Sequence, residues 1–188
     1  WLFVNFAYYG AFIWIPSILH AGGFTLVKSF GFTLVITLAQ LPGYAASAWL
    51  IERWGRRTTL SVFLAGSALS AFAFGTAGTD TSIIVFGCAL SFFNLGAWGA
   101  LYAVTPELYP TSLRGTGAGW AAGFGRIASI VAPLVVPLLL QIGASGEAGA
   151  PNPTGKAVTF TVFGVAFALA CAAAWGLKEL KGVPLDDR

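Results

Sequence analysis

Apolar residues fall into six long runs, at about residues 2–19, 30–51, 60–76, 83–104, 117–140 and 157–177, parted by short polar stretches. A helix needs roughly 20 mostly apolar residues to cross the hydrocarbon of a bilayer, and each run approaches that length. A soluble helical bundle would instead show a charged face on each helix. The third and sixth runs carry no charged residue at all. Pro16, Pro42, Pro133 and Pro137 lie inside the runs. They would break soluble helices but are common in membrane spans. The pattern predicts an all-α integral membrane protein with six transmembrane helices.

Composition agrees. Apolar residues make up 57% of the chain and charged residues 9%, against about 25% charged in a typical soluble domain. The mean hydropathy is +0.79. The sequence opens at Trp1 and contains no methionine, so a piece of a longer protein is expected. Cys88 and Cys171 sit in apolar runs with no metal-ligand spacing and read as small core residues. The ten basic residues are scattered near the ends of the runs, with no stripe to grip phosphates, which excludes nucleic acid as a partner. No Asp, Glu or His cluster lies within a run. A membrane-embedded enzyme, a metal site and a bound cofactor are therefore not expected.

The basic residues also orient the chain. With six spans both ends lie on one side. That side holds Arg53, Arg56, Arg57, Arg114, Lys178, Lys181 and Arg188, while Lys28 and Lys156 fall on the other and Arg126 within a span. Cytoplasmic loops are enriched in Lys and Arg, so a multi-pass protein of the plasma or inner membrane with both ends of this segment cytoplasmic is expected.

Three polar motifs interrupt the hydrophobic pattern. Glu52-Arg53-Trp54-Gly55-Arg56-Arg57 follows the second span. Pro106-Glu107-Leu108-Tyr109-Pro110-Thr111-Ser112-Leu113-Arg114-Gly115 joins the fourth to the fifth. Glu179-Leu180-Lys181-Gly182-Val183-Pro184-Leu185-Asp186-Asp187 follows the sixth. The first serves either as a plain basic anchor or as part of a charge-paired latch, to which Glu107, Arg114 and Glu179 would contribute.

These motifs resemble the major facilitator superfamily. The first is similar to its D/E-R-x-G-R-R loop, the second to the P-E-x-x-P-T-x-x-R-x-x-G stretch of its sugar and organic-ion branches, and the third to the E-T-K-G-x-x-L-E/D ending. Leu180 replaces the usual Thr of that ending, and Glu52 stands where Asp is commoner. Tyr8-Tyr9-Gly10 followed by Trp14-Ile15-Pro16 resembles the niacin and aromatic-acid proton symporters and the synaptic-vesicle-glycoprotein-like proteins. The resemblance covers the whole chain but only the second half of the superfamily fold. It implies a C-terminal six-helix bundle of two inverted three-helix repeats. The N-terminal bundle would be a partner outside this chain, and substrate would bind near the midplane. It further implies proton-coupled symport of a small organic or aromatic acid by alternating access. A sugar or organic-cation transporter and a non-transporting membrane sensor are the other readings.

Arg126 is the residue that most needs an explanation. It lies twelve residues after Arg114, roughly 18 Å along a helix at 1.5 Å per residue. At such depth an Arg costs at least about 2.5–3.5 kcal/mol to insert. Two roles are open to it: a fork for a substrate carboxylate, or a structural pair with an acid elsewhere. Asn5, Tyr8, Tyr9 and Phe12 share one helical face, as do Thr33, Thr37, Gln40 and Tyr44, while Asn94 and Trp98 are one turn apart. Asn5, Tyr8, Tyr9, Gln40, Asn94 and Trp98 join Arg126 as candidate substrate-binding residues, with helix–helix hydrogen bonding as the alternative. Gly119 and Gly123 form a small-residue face suited to close helix packing, and His20 reads as interfacial. No Asp or Glu lies within a span, so a proton-binding carboxylate is expected outside this half or at Glu107.

Overall fold

The computed structural model describes residues 1–144 and 152–177, and every regular element among them is an α-helix. These are α1 (Leu2–Ala21), α2 (Leu26–Leu38), α3 (Gln40–Trp54), α4 (Arg56–Thr76), α5 (Asp80–Glu107), α6 (Arg114–Leu140) and α7 (Pro153–Trp175). Helices α2 and α3 together form one span. The described residues therefore hold six segments long and apolar enough to cross a membrane.

The second span is broken where the sequence pattern predicts continuity. Pro42 has no N–H to give the carbonyl of Leu38, and the helix is interrupted at Ala39. Spans also run further than the hydrophobic runs. The third begins at Arg56, four residues before the apolar run, because Gly55 alone turns the chain. Its φ of 89° is costly for any residue with a Cβ. The fourth reaches back to Asp80 through a capping box in which Thr79 and Ser82 bond each other reciprocally. It runs on to Glu107 through Pro106.

In lipid, helices gain little by hiding apolar surface from one another, so association rests on close packing. Helix α4 lies along α7 and against α5, α1 lies on α6 and α7, and α5 also takes α3 and α2. The packing partners are unchanged when spans one, two and three are exchanged for four, five and six. The core between them is filled by Phe63, Phe74, Phe160, Phe163 and Phe167, each no more than 2% exposed. Several rings rest on glycines. A Cβ on Gly96 would stand 1.9 Å from Phe63, and one on Gly10 2.5 Å from Phe163.

Two contacts close the end of the bundle opposite the α3–α4 turn. Lys28 at the start of α2 pairs with Asp80 at the start of α5 at 2.5 Å, and Lys156 Nζ donates to the carbonyl of Ala77. Both partners of the Lys28–Asp80 pair are substantially exposed, so the pair contributes at most about 1 kcal/mol.

Candidate functional site

The site is built where α1 crosses α6. Three hydrogen bonds run along that crossing. Ser129 Oγ donates to Asn5 Oδ1 at 2.9 Å, Arg126 Nη1 donates to the Tyr9 hydroxyl at 2.7 Å, and Trp14 Nε1 donates to the Pro133 carbonyl at 3.1 Å. The last has a covalent cause. Pro137 lacks the N–H that would bond the Pro133 carbonyl within α6, and Trp14 of the neighbouring helix supplies it. Gly125 lets the seam close, since a Cβ there would meet Asn5 Nδ2 at 2.7 Å.

Arg126 is exposed on this face. A guanidinium at membrane depth does not face acyl chains at equilibrium, because the insertion cost is relieved only by water or partners. The face that carries it is therefore a wet or covered one. Next to it stands an aromatic wall. Tyr8 and Tyr9 meet edge to face at 5.1 Å between centroids. The Trp98 ring lies 5.5 Å from Tyr8 and 6.5 Å from Tyr9. Gln40 stands against the Tyr8 hydroxyl. The wall continues to Tyr102, which is 5.6 Å from Trp98 and 4.8 Å from Trp1. A flat ring can lie on such rings through offset or edge contacts, while a guanidinium holds two oxygens of an attached carboxylate.

The structure thus brings Arg126, Tyr8, Tyr9, Gln40 and Trp98 to one face, with Asn5 just behind it. Asn94 sits deeper. It is 0% exposed, and neither its amide oxygen nor its nitrogen has a hydrogen-bond partner among the described residues; the Trp98 indole N–H is likewise unpaired. Thr33 is used locally, donating to the Ser29 carbonyl one turn back. Tyr102 and Ser129 escaped the sequence reading. The signal for Tyr102 was its place four residues after Trp98, continuing the Asn94–Trp98 stripe. Ser129 lies three residues after Arg126.

At the α3–α4 end, Arg56 Nε lies 3.3 Å from Glu107, tying the first residue of α4 to the last of α5. Arg57 Nη1 donates to the Leu177 carbonyl at 3.4 Å and its guanidinium lies over the Trp175 ring at 5.3 Å. Arg114 Nε donates to the Pro106 carbonyl at 3.1 Å. Arg53 stacks over Trp49, one turn back, at 4.5 Å, and Glu52 is exposed. The residues expected in a loop are therefore mostly helix ends. Glu179 lies outside the described residues. The Arg56 and Glu107 side chains are 24% and 20% exposed. Breaking their pair should cost about 1–3 kcal/mol, less than the about 3–5 kcal/mol of a fully buried one. Glu107→Gln is expected to lower the melting temperature in detergent, and exchanging the two charges (Arg56→Glu with Glu107→Arg) to recover most of the loss. Equal melting of Glu107→Gln and wild type would show the pair to be idle.

The glycine face of α6 meets nothing among the described residues. No atom comes within 4 Å of a Cβ built on Gly115, Gly119 or Gly123. His20 Nδ1 donates to the Phe24 carbonyl at 3.0 Å at the exposed end of α1. Among the described residues no group of three or more His, Cys, Asp or Glu could hold a metal ion.

Comparison with known proteins adds an independent line. Residues 1–187 match the family model described as sugar (and other) transporter. The chain is 54% identical over 136 residues to a niacin transporter of Acinetobacter baylyi, covering 72% of this chain and 31% of that protein. It is 47% identical over 188 residues to a Bacillus subtilis protein named for niacin/nicotinamide transport, covering 99% of this chain and 44% of that protein. It is also 29% identical over 174 residues to a gallate transporter of Pseudomonas putida, covering 91% of this chain and 36% of that protein. The chain spans less than half the length of each of these relatives.

Proposed function

This chain belongs to the sugar (and other) transporter family of the major facilitator superfamily, a family of transporters and not of enzymes, and on that premise we propose that it is the C-terminal six-helix half of a proton-coupled symporter for a small aromatic acid. It is an integral multi-pass membrane protein. In this reading the missing N-terminal bundle faces the Arg126 side of the chain, both ends of the present segment are cytoplasmic, and transport proceeds by alternating access. The observation that carries the proposal is the Arg126 guanidinium, held by Tyr9 at 2.7 Å beside an aromatic wall. The pairing of a planar cationic fork with flat rings suits a planar anion with a ring attached. The relatives named for niacin and gallate carry molecules of that description. A sugar would leave the guanidinium without a countercharge, and an organic cation would be repelled by it.

The proton enters this reading through a carboxylate beyond these spans or through Glu107. The test is uptake of labelled nicotinate and benzoate by the full-length protein in proteoliposomes. Accumulation of nicotinate above the outside concentration, collapsing when a proton uncoupler is added, is expected. Binding without accumulation would favour a sensor instead, and accumulation indifferent to the uncoupler would remove the proton.

A further inference from the structure

We infer that Tyr9 is a positioning residue, which holds the Arg126 guanidinium in the plane and orientation that grips a carboxylate. This rests on the anion-site reading above and adds to it a source for the selectivity between an acid and its neutral analogues. An arginine side chain is long and has many rotamers to lose. On an exposed face nothing in α6 itself would keep the fork in one place. The residues before and after Arg126, Gly125 and Ile127, offer no polar group. The fixing group comes from α1. The Tyr9 hydroxyl accepts from Nη1 at 2.7 Å, within the short range of charge-assisted bonds. One of the five guanidinium N–H groups is thereby committed.

Tyr9 is itself held. Its ring meets Tyr8 edge to face at 5.1 Å, at an interplanar angle of 85°, and Trp98 at 6.5 Å and 81°. Its backbone is one turn beyond Asn5, which takes the Ser129 hydrogen bond at 2.9 Å from the same α6 face. Gly125 of α6 keeps the two helices close, since a Cβ there would stand 2.7 Å from Asn5 Nδ2 of α1. The geometry thus runs from helix packing to ring to hydroxyl to fork. A pre-set fork loses less entropy on binding than a free one. Only a ligand with two coplanar oxygens profits fully from it, because bidentate pairing needs the two planes to match.

The distinguishing measurement is the ratio of affinities for nicotinate and for its neutral amide, nicotinamide. Both are read on the full-length protein as competitors of labelled nicotinate uptake. In Tyr9→Phe, which keeps the ring and removes one oxygen, the nicotinate KM should rise about tenfold while the maximal rate stays within about twofold and the inhibition constant of nicotinamide is unchanged. A merely structural role would weaken acid and amide alike, and that outcome overturns the inference. So does an unaltered nicotinate KM. A Tyr9→Phe protein that fails to fold, shown by aggregation in detergent, would also count against a role confined to one hydroxyl. The double variant Tyr9→Phe with Arg126→Lys supplies the cross-check on binding of labelled nicotinate to purified protein. Removing the hydroxyl should there change affinity less than twofold, since the fork it orients is gone, and a full tenfold loss would refute the coupling. If Arg126→Ala retains uptake, the anion site itself is wrong. If Arg126→Ala loses uptake while Tyr9→Phe behaves as wild type, only the positioning role fails.

Discussion

Arg126→Ala in the full-length protein should reduce nicotinate uptake at least about 100-fold while leaving expression, membrane insertion and melting behaviour intact. A deep guanidinium costs about 2.5–3.5 kcal/mol to insert, so its removal relieves the bilayer part of the folding balance and does not burden it. Among the described residues the variant loses the hydrogen bond to the Tyr9 hydroxyl, which can turn to water. Transport loses more. Hydrogen bonds to charged groups contribute about 1.5–3 kcal/mol each, and a bidentate carboxylate makes two. A net loss near 2.8 kcal/mol corresponds to about 100-fold. Arg126→Lys should recover part of the uptake, because an ammonium keeps the charge but not the planar fork. Unimpaired accumulation by the alanine variant in proteoliposomes would show that the guanidinium serves the architecture and not the substrate.

The largest effect on stability is expected at Gly43. A Cβ placed there would stand 2.3 Å from the carbonyl oxygen of Phe92 and 3.0 Å from its carbon. The obstacle is backbone, so no side chain can swing aside, and α3 and α5 must separate. Such overpacking costs about 1–3 kcal/mol, and in a bundle whose cohesion rests largely on close packing the upper part of that range is expected. Gly43→Ala should therefore lower the detergent melting temperature by several degrees, on the order of 2–4 °C per kcal/mol for a chain of this size. Gly31→Ala is the matched control. Nothing lies within 4 Å of a Cβ there, and the change removes a helix-weakening glycine worth about 0.5–1 kcal/mol, so melting should hold or rise slightly. Identical behaviour of the two variants would contradict the close α3–α5 approach.

Much of this architecture is legible in the sequence because the bilayer imposes a single length scale and a single polarity. Six runs near 20 residues give six spans, and the depth of Arg126 follows from counting along α6. What escapes is whatever depends on a neighbour. Arg56 and Glu107 look like loop residues by composition; they are helix ends, because one glycine suffices for the turn and long side chains reach polar surroundings from the last turn of a helix. The interruption at Ala39 is encoded by Pro42, yet prolines at 16, 133 and 137 sit inside unbroken helices, so the local signal alone does not separate the two outcomes. Asn94 reads as a lining residue from its spacing, but its depth is decided by how the neighbouring helices pack on α5, which no periodicity reveals. Tyr102 continues the Asn94–Trp98 stripe one turn on, yet an aromatic near a span end also fits an interfacial anchor.

The bond from Trp14 to the Pro133 carbonyl has a mechanical corollary. A helix weakened at a proline bends there first, yet here the weak point is stitched to its neighbour by an indole. Flexure of α6 at that height drags α1 with it, like two slats sharing a rivet. A swing that opens one side of the bundle must then be accommodated at joints the rivet does not reach, such as the break at Ala39.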